Sequence, residues 1–251
     1  MSSLTLFDNG AHRNILLEDF GGGIAVQANQ HLIVHGNAGM ILDPGGHKVY
    51  NKAFAETRSQ LGGAELRYIF LSHQDPDIVA AANGWLMTTD ADAYASELWL
   101  RFIPHFGLDH LVEDRLKGIA DGGMKLDLDG CELVIVPAHF LHSCGNFQVY
   151  DPVSKILYTG DLGASVGTEE REVANFDAHL EHMTGFHRRY MTSNRVLNLW
   201  ADMIEPLDIE IIAPQHGAMF KGKEMVGRFI EWCRRLECGI DVGESMFKLP
   251  A

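Results

Sequence analysis

The sequence predicts an α/β fold, and three observations lead there. Short β-rich stretches at 4–7, 14–18, 24–28, 31–35 and 39–42 open the chain, separated by glycine and asparagine clusters, as expected of successive antiparallel strands. Beyond them, apolar runs that end in polar loops alternate with segments that read as helical, the pattern of strand and helix in turn. Length and composition agree: 251 residues, 46% of them apolar and 26 of them glycine, suit a globular chain rich in tight turns. That length accommodates one large α/β domain or two small ones. No internal repeat, low-complexity run or Pro/Ser-rich linker divides it, so one domain over residues 1–251 is expected.

The elements follow in order. Asp43-Pro44-Gly45-Gly46 ends the last opening strand, 49–60 reads as a helix, and 66–71 as a buried strand. That strand runs into Ser72-His73-Gln74-Asp75-Pro76-Asp77. Pro76 fits the first turn of a helix, where its missing N–H is harmless, and the run 78–82 is expected to continue that helix. The polar cluster therefore falls at a strand-to-helix turn, a common location for chemistry in α/β proteins. A strand over 131–137 leads to Ala138-His139-Phe140-Leu141-His142. A hairpin of 147–150 and 155–158 ends at Thr159-Gly160-Asp161, and one long helical stretch is expected over 175–203. A strand over 209–213 ends at Pro214-Gln215-His216-Gly217, and a helix over 223–238 closes the chain. Four strand ends thus deliver a His or an Asp to a loop.

Charge and composition exclude several classes. Twenty basic against 34 acidic residues leave a net charge of −14, which repels a polyanion such as nucleic acid. The best basic cluster, His187-Arg188-Arg189, is too small to reverse that field. No run approaches the roughly 18 apolar residues of a membrane span. The opening Met1-Ser2-Ser3-Leu4-Thr5 lacks the basic and apolar parts of a secretory signal, so a cytoplasmic location is expected. The four cysteines, Cys131, Cys144, Cys233 and Cys238, form no C-x-x-C pair. They read as structural thiols in a reducing compartment, with Cys233 and Cys238 on the last helix and Cys144 only two residues from His142.

In an extended turn, alternate side chains of His73-x-Asp75-x-Asp77 project the same way. Imidazole and carboxylate together suit iron, zinc or manganese. The same residues read equally as an Asp-Pro-Asp helix cap beside a surface histidine.

The ordered set L-D-P-G at 42–45, S-H-Q-D-P-D at 72–77, Pro137 to His142, T-G-D at 159–161 and P-Q-H-G at 214–217 resembles the metallo-β-lactamase superfamily. Within it, the likeness is to the flavodiiron branch and its short oxygen-binding di-iron relatives that lack a flavodoxin domain. It runs from residue 24 to about residue 222. Zinc hydrolases of the superfamily carry H-x-H-x-D-H at the first cluster and flavodiiron proteins H-x-E-x-D-H, so Asp75 looks like the iron branch with a shorter carboxylate. The resemblance implies a four-layer αββα sandwich with the metals at one edge. It implies His73, Asp75 and His142 on a first metal, Asp77 and His216 on a second, and Asp161 between them. Asp43 matches a family residue that orients a ligand without touching the metal. The departure is Ile78, which stands where both patterns have a metal-binding histidine.

What the resemblance implies is a pair of iron ions, with zinc or manganese able to replace them, and a role in binding dioxygen that can extend to sensing it. The chain ends about thirty residues after P-Q-H-G, so no flavodoxin domain and no bound FMN are expected; Gly21-Gly22-Gly23 reads as a turn. Two alternatives stay open. One is reduction of dioxygen or nitric oxide with a separate electron donor. The other is metal-dependent hydrolysis, against which Asp75 and Ile78 argue. A chemotaxis signalling partner and a homodimer are further implications. Among the remaining residues, His139, His179, His182 and His187 are read as packed or solvated, although one of 179–187 could replace the ligand missing at Ile78. Tyr190 could donate a hydrogen bond to a bound ligand. Trp85, Trp99 and Phe102 are expected in the core.

Overall fold

The computed structural model describes residues 3–17, 19–21, 27–245 and 247–250. Strands β1 (Leu4–Asp8), β2 (His12–Leu16), β3 (His31–His35) and β4 (Ala38–Leu42) pair antiparallel in chain order. Gly36, at φ 53°, opens the two-residue turn between β3 and β4, where the right-handed strand twist favours positive φ. Strands β5 (Glu65–Phe70), β6 (Asp92–Ser96) and β7 (Leu116–Ile119) then join in parallel. Parallel neighbours need crossovers, supplied here by α1 (Tyr50–Leu61) before β5 and by α2 (Pro76–Val79) and α3 (Ala82–Thr88) after it.

The second sheet is built from β8 (Met124–Leu128), β9 (Cys131–Pro137), β10 (Phe147–Asp151) and β11 (Ile156–Gly160), all antiparallel. To these are added β12 (Ile211–Pro214), parallel to β11, and the short β13 (Phe220–Lys221). The α4 (Phe176–Tyr190) and α5 (Asn194–Ile204) helices cross from β11 to β12, and α6 (Lys223–Arg235) follows β13.

Three hydrophobic cores separate four layers. Between the sheets lie Ile33, Met40, Leu42 and Phe70 against Leu133, Phe147, Val149 and Ile156. Strand alternation sends the neighbouring side chains the other way: Leu32, Val34 and Ile41 meet Ala53, Trp85 and Leu86 of the helices on the first sheet. On the far face of the second sheet, Tyr150 and Ile212 meet Met183, Leu197, Trp200 and Phe229. The architecture is the four-layer αββα sandwich. Deleting a fully buried ring such as Phe147 or Phe229 would cost roughly 3–5 kcal/mol.

Several expectations are corrected. The stretch 175–203 is two helices, because the chain turns extended at Met191 and Ser193 restarts it by accepting a hydrogen bond from the Val196 amide, the usual work of an N-cap serine. The run 78–82 is interrupted at Ala80 and Ala81. Cys238 lies beyond the end of α6, although both it and Cys233 are buried. Trp85 is core, whereas Phe102 is 45% exposed. The expected strand at 24–28 and the Gly21-Gly22-Gly23 turn lie mostly outside the described residues, as does Glu18. Among the described residues, no helix is long and apolar enough to cross a membrane.

Candidate metal centre

The loops that follow β4, β5, β9, β11 and β12 meet at one edge of the sandwich. After β5, Ser72 and His73 are buried, and Asp75 takes the N-cap position of α2 with Pro76 behind it. The Asp75 side chain makes no capping hydrogen bond. It faces imidazoles instead, with Oδ2 3.6 Å from His73 Nε2 and 3.5 Å from His142 Nε2. The helix-cap reading therefore fails, and His73, at 2% exposure, is no surface residue.

Asp161 lies at the centre. Its Oδ2 is 2.9 Å from His142 Nε2 and 3.8 Å from His73 Nε2, while its Oδ1 faces His216 Nε2 at 3.4 Å. His216 Nε2 is also 3.5 Å from Asp77 Oδ2. One carboxylate thus turns one oxygen to His73 and His142 and the other to His216. The six side chains expected to converge do so, in two groups that share Asp161. In the first group, one ligand atom from each of His73, Asp75, His142 and Asp161 lies within 4.8 Å of the others.

All three imidazoles present Nε2 inward, and in His73 and His216 the Nδ1 is held elsewhere. His73 Nδ1 meets Ser72 Oγ at 2.9 Å, and His216 Nδ1 donates to the Gln27 carbonyl at 2.5 Å. Such partners fix tautomer and ring orientation. Asp43 acts one residue removed, its Oδ1 accepting from the Ser72 amide at 2.8 Å. Burial pushes the Asp43 carboxyl up to about 6. Gln74 and Gln215 were not singled out by the sequence. Gln74 donates to Asp75 Oδ1 and accepts from Ser143 Oγ, and Gln215 donates to Asp77 Oδ2. Their positions beside ligands were the only available signal.

The electrostatics favour a cation. Hydrogen bonding from His142, then from His73, holds Asp75 well below the usual carboxylate range. Burial opposes charge on His142, yet Asp161 and Asp75 outweigh it and raise the imidazole to about 10. Asp77 is pushed up, first by burial and then by repulsion from Asp161. Asp161 Oδ1 is buried without a hydrogen bond, its 3.4 Å approach to His216 lacking the geometry for one. An orphaned buried carboxylate oxygen costs free energy unless something positive meets it. Three imidazoles and three carboxylates therefore fit a pair of transition-metal ions, and the hard, anionic character of the set suits iron.

Of the other candidate histidines, His187, His182 and His139 have hydrogen-bond partners elsewhere. His187 donates from Nδ1 to the Met183 carbonyl and accepts at Nε2 from the Gly163 amide, so both nitrogens are spoken for. His182 Nδ1 meets the Val166 carbonyl and His139 Nε2 contacts the Asp121 carbonyl, while the buried His179 ring stands 3.9 Å from Glu170 with neither nitrogen hydrogen-bonded. Ile78 is fully buried in the core beneath the helices of the first sheet. Tyr190 stacks on Phe186, with its ring 5.5 Å from that of His142.

Residues 26–217 match a known family, described as ODP family beta lactamase. The chain belongs to that family. Two solved structures match nearly its whole length: a peroxy diiron species of chemotaxis sensor ODP, and the apo state of chemotaxis sensor ODP from T. denticola. They are 38% and 36% identical, cover 98% of this chain and 100% and 99% of theirs, and superpose with a TM-score of 0.87. A flavo di-iron protein variant from Thermotoga maritima, 19% identical, covers 92% of this chain and 60% of its own, with a TM-score of 0.76; that likeness concerns the fold. Against curated relatives the chain spans half of an uncharacterized Methanocaldococcus jannaschii protein, at 22% identity over 202 residues and 77% of this chain.

Proposed function

We propose that this chain binds dioxygen at a non-haem di-iron centre, within one domain over residues 1–251. His73, Asp75 and His142 would hold the first iron, Asp77 and His216 the second, and Asp161 both. The observation that carries the reading is the split orientation of Asp161, Oδ2 toward His142 and Oδ1 toward His216. The family assignment and the 38% identical chemotaxis sensor support it.

Iron supplies what zinc lacks, a change of oxidation state with which to reduce a bound ligand. The protein's part is to orient and to shield. Ser72 and the Gln27 carbonyl aim the His73 and His216 rings, Gln74 and Gln215 steady the two aspartates, and Tyr190 with Phe186 lies over His142. A cavity of about 380 Å³, lined mostly by apolar surface from Gly45, Gly46, Val49, Pro76 and Ala80, reaches Asp77 and suits a small uncharged ligand. With Ile78 buried, the second iron keeps one position fewer filled by protein. Signal relay to a chemotaxis partner, dimerisation and use of a separate electron donor belong to this proposal as its finer parts.

Anaerobically reduced, iron-loaded protein should develop a visible absorption band on exposure to air, and zinc-loaded protein should not. Brisk hydrolysis of thioesters or lactams by the zinc form, with an iron form inert to oxygen, would sink the reading. Sustained oxygen consumption only when NADH and a reductase are added would turn binding into turnover.

A further inference from the structure

At the end of the strands opposite the His/Asp centre, a second group of metal-binding side chains comes together. His12 and His35 face each other across the β2–β3 pair, and Cys131 begins β9 in the other sheet. Nδ1 of His12 lies 3.1 Å from Nδ1 of His35. With Cys131 Sγ, the three donor atoms all fall within 4.8 Å of one another. Tetrahedral metal–nitrogen and metal–sulfur bonds of about 2.0 and 2.3 Å bring ligand atoms to comparable separations.

What surrounds His12 distinguishes this group from a chance contact. The ring is fully buried, and its Nε2 lies 2.7 Å from Asp151 Oδ2. That carboxylate also accepts from Asn14 Nδ2 and Ser154 Oγ, both at 2.7 Å, and from the Val153 amide at 3.0 Å. Asp151 is thus a fixed acceptor, His12 must carry its proton on Nε2, and the Nδ1 lone pair is turned on His35. A carboxylate–histidine pair of this kind commonly stands behind a metal-ligating imidazole.

We propose that His12, His35 and Cys131 form a mononuclear site for a borderline-soft divalent cation of the zinc class, joining the two sheets. On binding, the Cys131 thiol releases its proton to solvent, and both imidazoles stay neutral. One dication, one thiolate and the Asp151 carboxylate then sum to zero charge, which is what burial requires. The half-buried His35 side leaves a fourth position for water. A tether at this end would hold β2 and β3 to the β8–β9 hairpin, roughly 20 Å of strand away from the first centre.

Cobalt(II) titrated into metal-free protein tests this, because a thiolate ligand adds a sulfur-to-cobalt charge-transfer band that histidines and carboxylates cannot produce. Wild type should show that band saturating at one sulfur-bound cobalt per chain, beside the cobalt that the His/Asp centre takes up without it, and zinc should abolish it by displacement. Cys131→Ala and His35→Gln should both lack the band, while Cys144→Ser keeps it. Asp151→Asn, which turns only a positioning group, should weaken cobalt binding at this site ten- to a hundredfold. His35 is half-buried, so His35→Gln gives a folded reference should Cys131→Ala not fold. No sulfur band at saturating cobalt, or a band that survives His35→Gln, would overturn the proposal and leave the two rings as an N–H···N hydrogen bond.

Discussion

The two halves of the His/Asp centre share a carboxylate but are built differently. The first gathers His73, Asp75 and His142 about Asp161 Oδ2, and His73 and Asp161 are almost wholly buried. The second has Asp77 and His216 about Asp161 Oδ1, and the position that could have added a fourth imidazole to the centre is Ile78, turned into the core. The first half has four side chains from three loops. The second has three such side chains, and its Asp77 also lines a cavity. Were both halves loaded as proposed, four side chains would hold one ion and three the other, so that one half would anchor and the other receive a ligand.

The largest test of that division is Asp161→Ala. Because each of its oxygens serves one half, metal analysis should find both irons lost, and a wild-type iron content would break the bridge. Next comes His216→Ala, expected to retain the first iron and lose the second; equal loss from both halves would mean that they do not fill separately. Smaller still is Ile78→His. Burying an unpartnered imidazole in that core costs about 1–3 kcal/mol, so the melting temperature should fall with no gain of metal. An unchanged melting temperature with tighter iron binding would show that the second half can recruit the ligand.

The gentlest test concerns the ground beneath both halves. His187 accepts the Gly163 amide two residues after Asp161, and burial pushes its ring down to about 4. Between pH 6.5 and about 4 the unfolded chain therefore binds a proton that the native one excludes. The stability from this group is complete above the ordinary value and drains at about 1.4 kcal/mol per pH unit as pH falls. In denaturant unfolding of metal-free protein, His187→Gln should show a shallower loss over that window than wild type. Parallel curves would remove His187 from the account. His31, lowered by burial in the same way, contributes equally to both proteins and drops out of the difference.

Much of the site was legible because its residues sit where strands end. His73, His142, Asp161 and His216 each follow an apolar run, and the ordered motifs carried the family. The partners in Gln74, Gln215 and Gln27 were not legible, since an amide beside a ligand looks like any polar loop residue until its hydrogen bonds are seen. The break in the 175–203 stretch was written in Ser193-Asn194, a capping pair hidden by the apolar periodicity on both sides of it. Strands β6 and β7 were missed because they are short and their neighbours lie far away in sequence.

Local chemistry, which is encoded residue by residue, determined most of the strands, the turn residues and the His and Asp side chains proposed as donors. Tertiary structure alone decided which oxygen of Asp161 faces which imidazole, that Ile78 is buried in the core, and that His12 meets His35 and Cys131. Those are matters of side-chain direction among segments up to about 140 residues apart. Only the packing of the two sheets brings such segments within bonding distance.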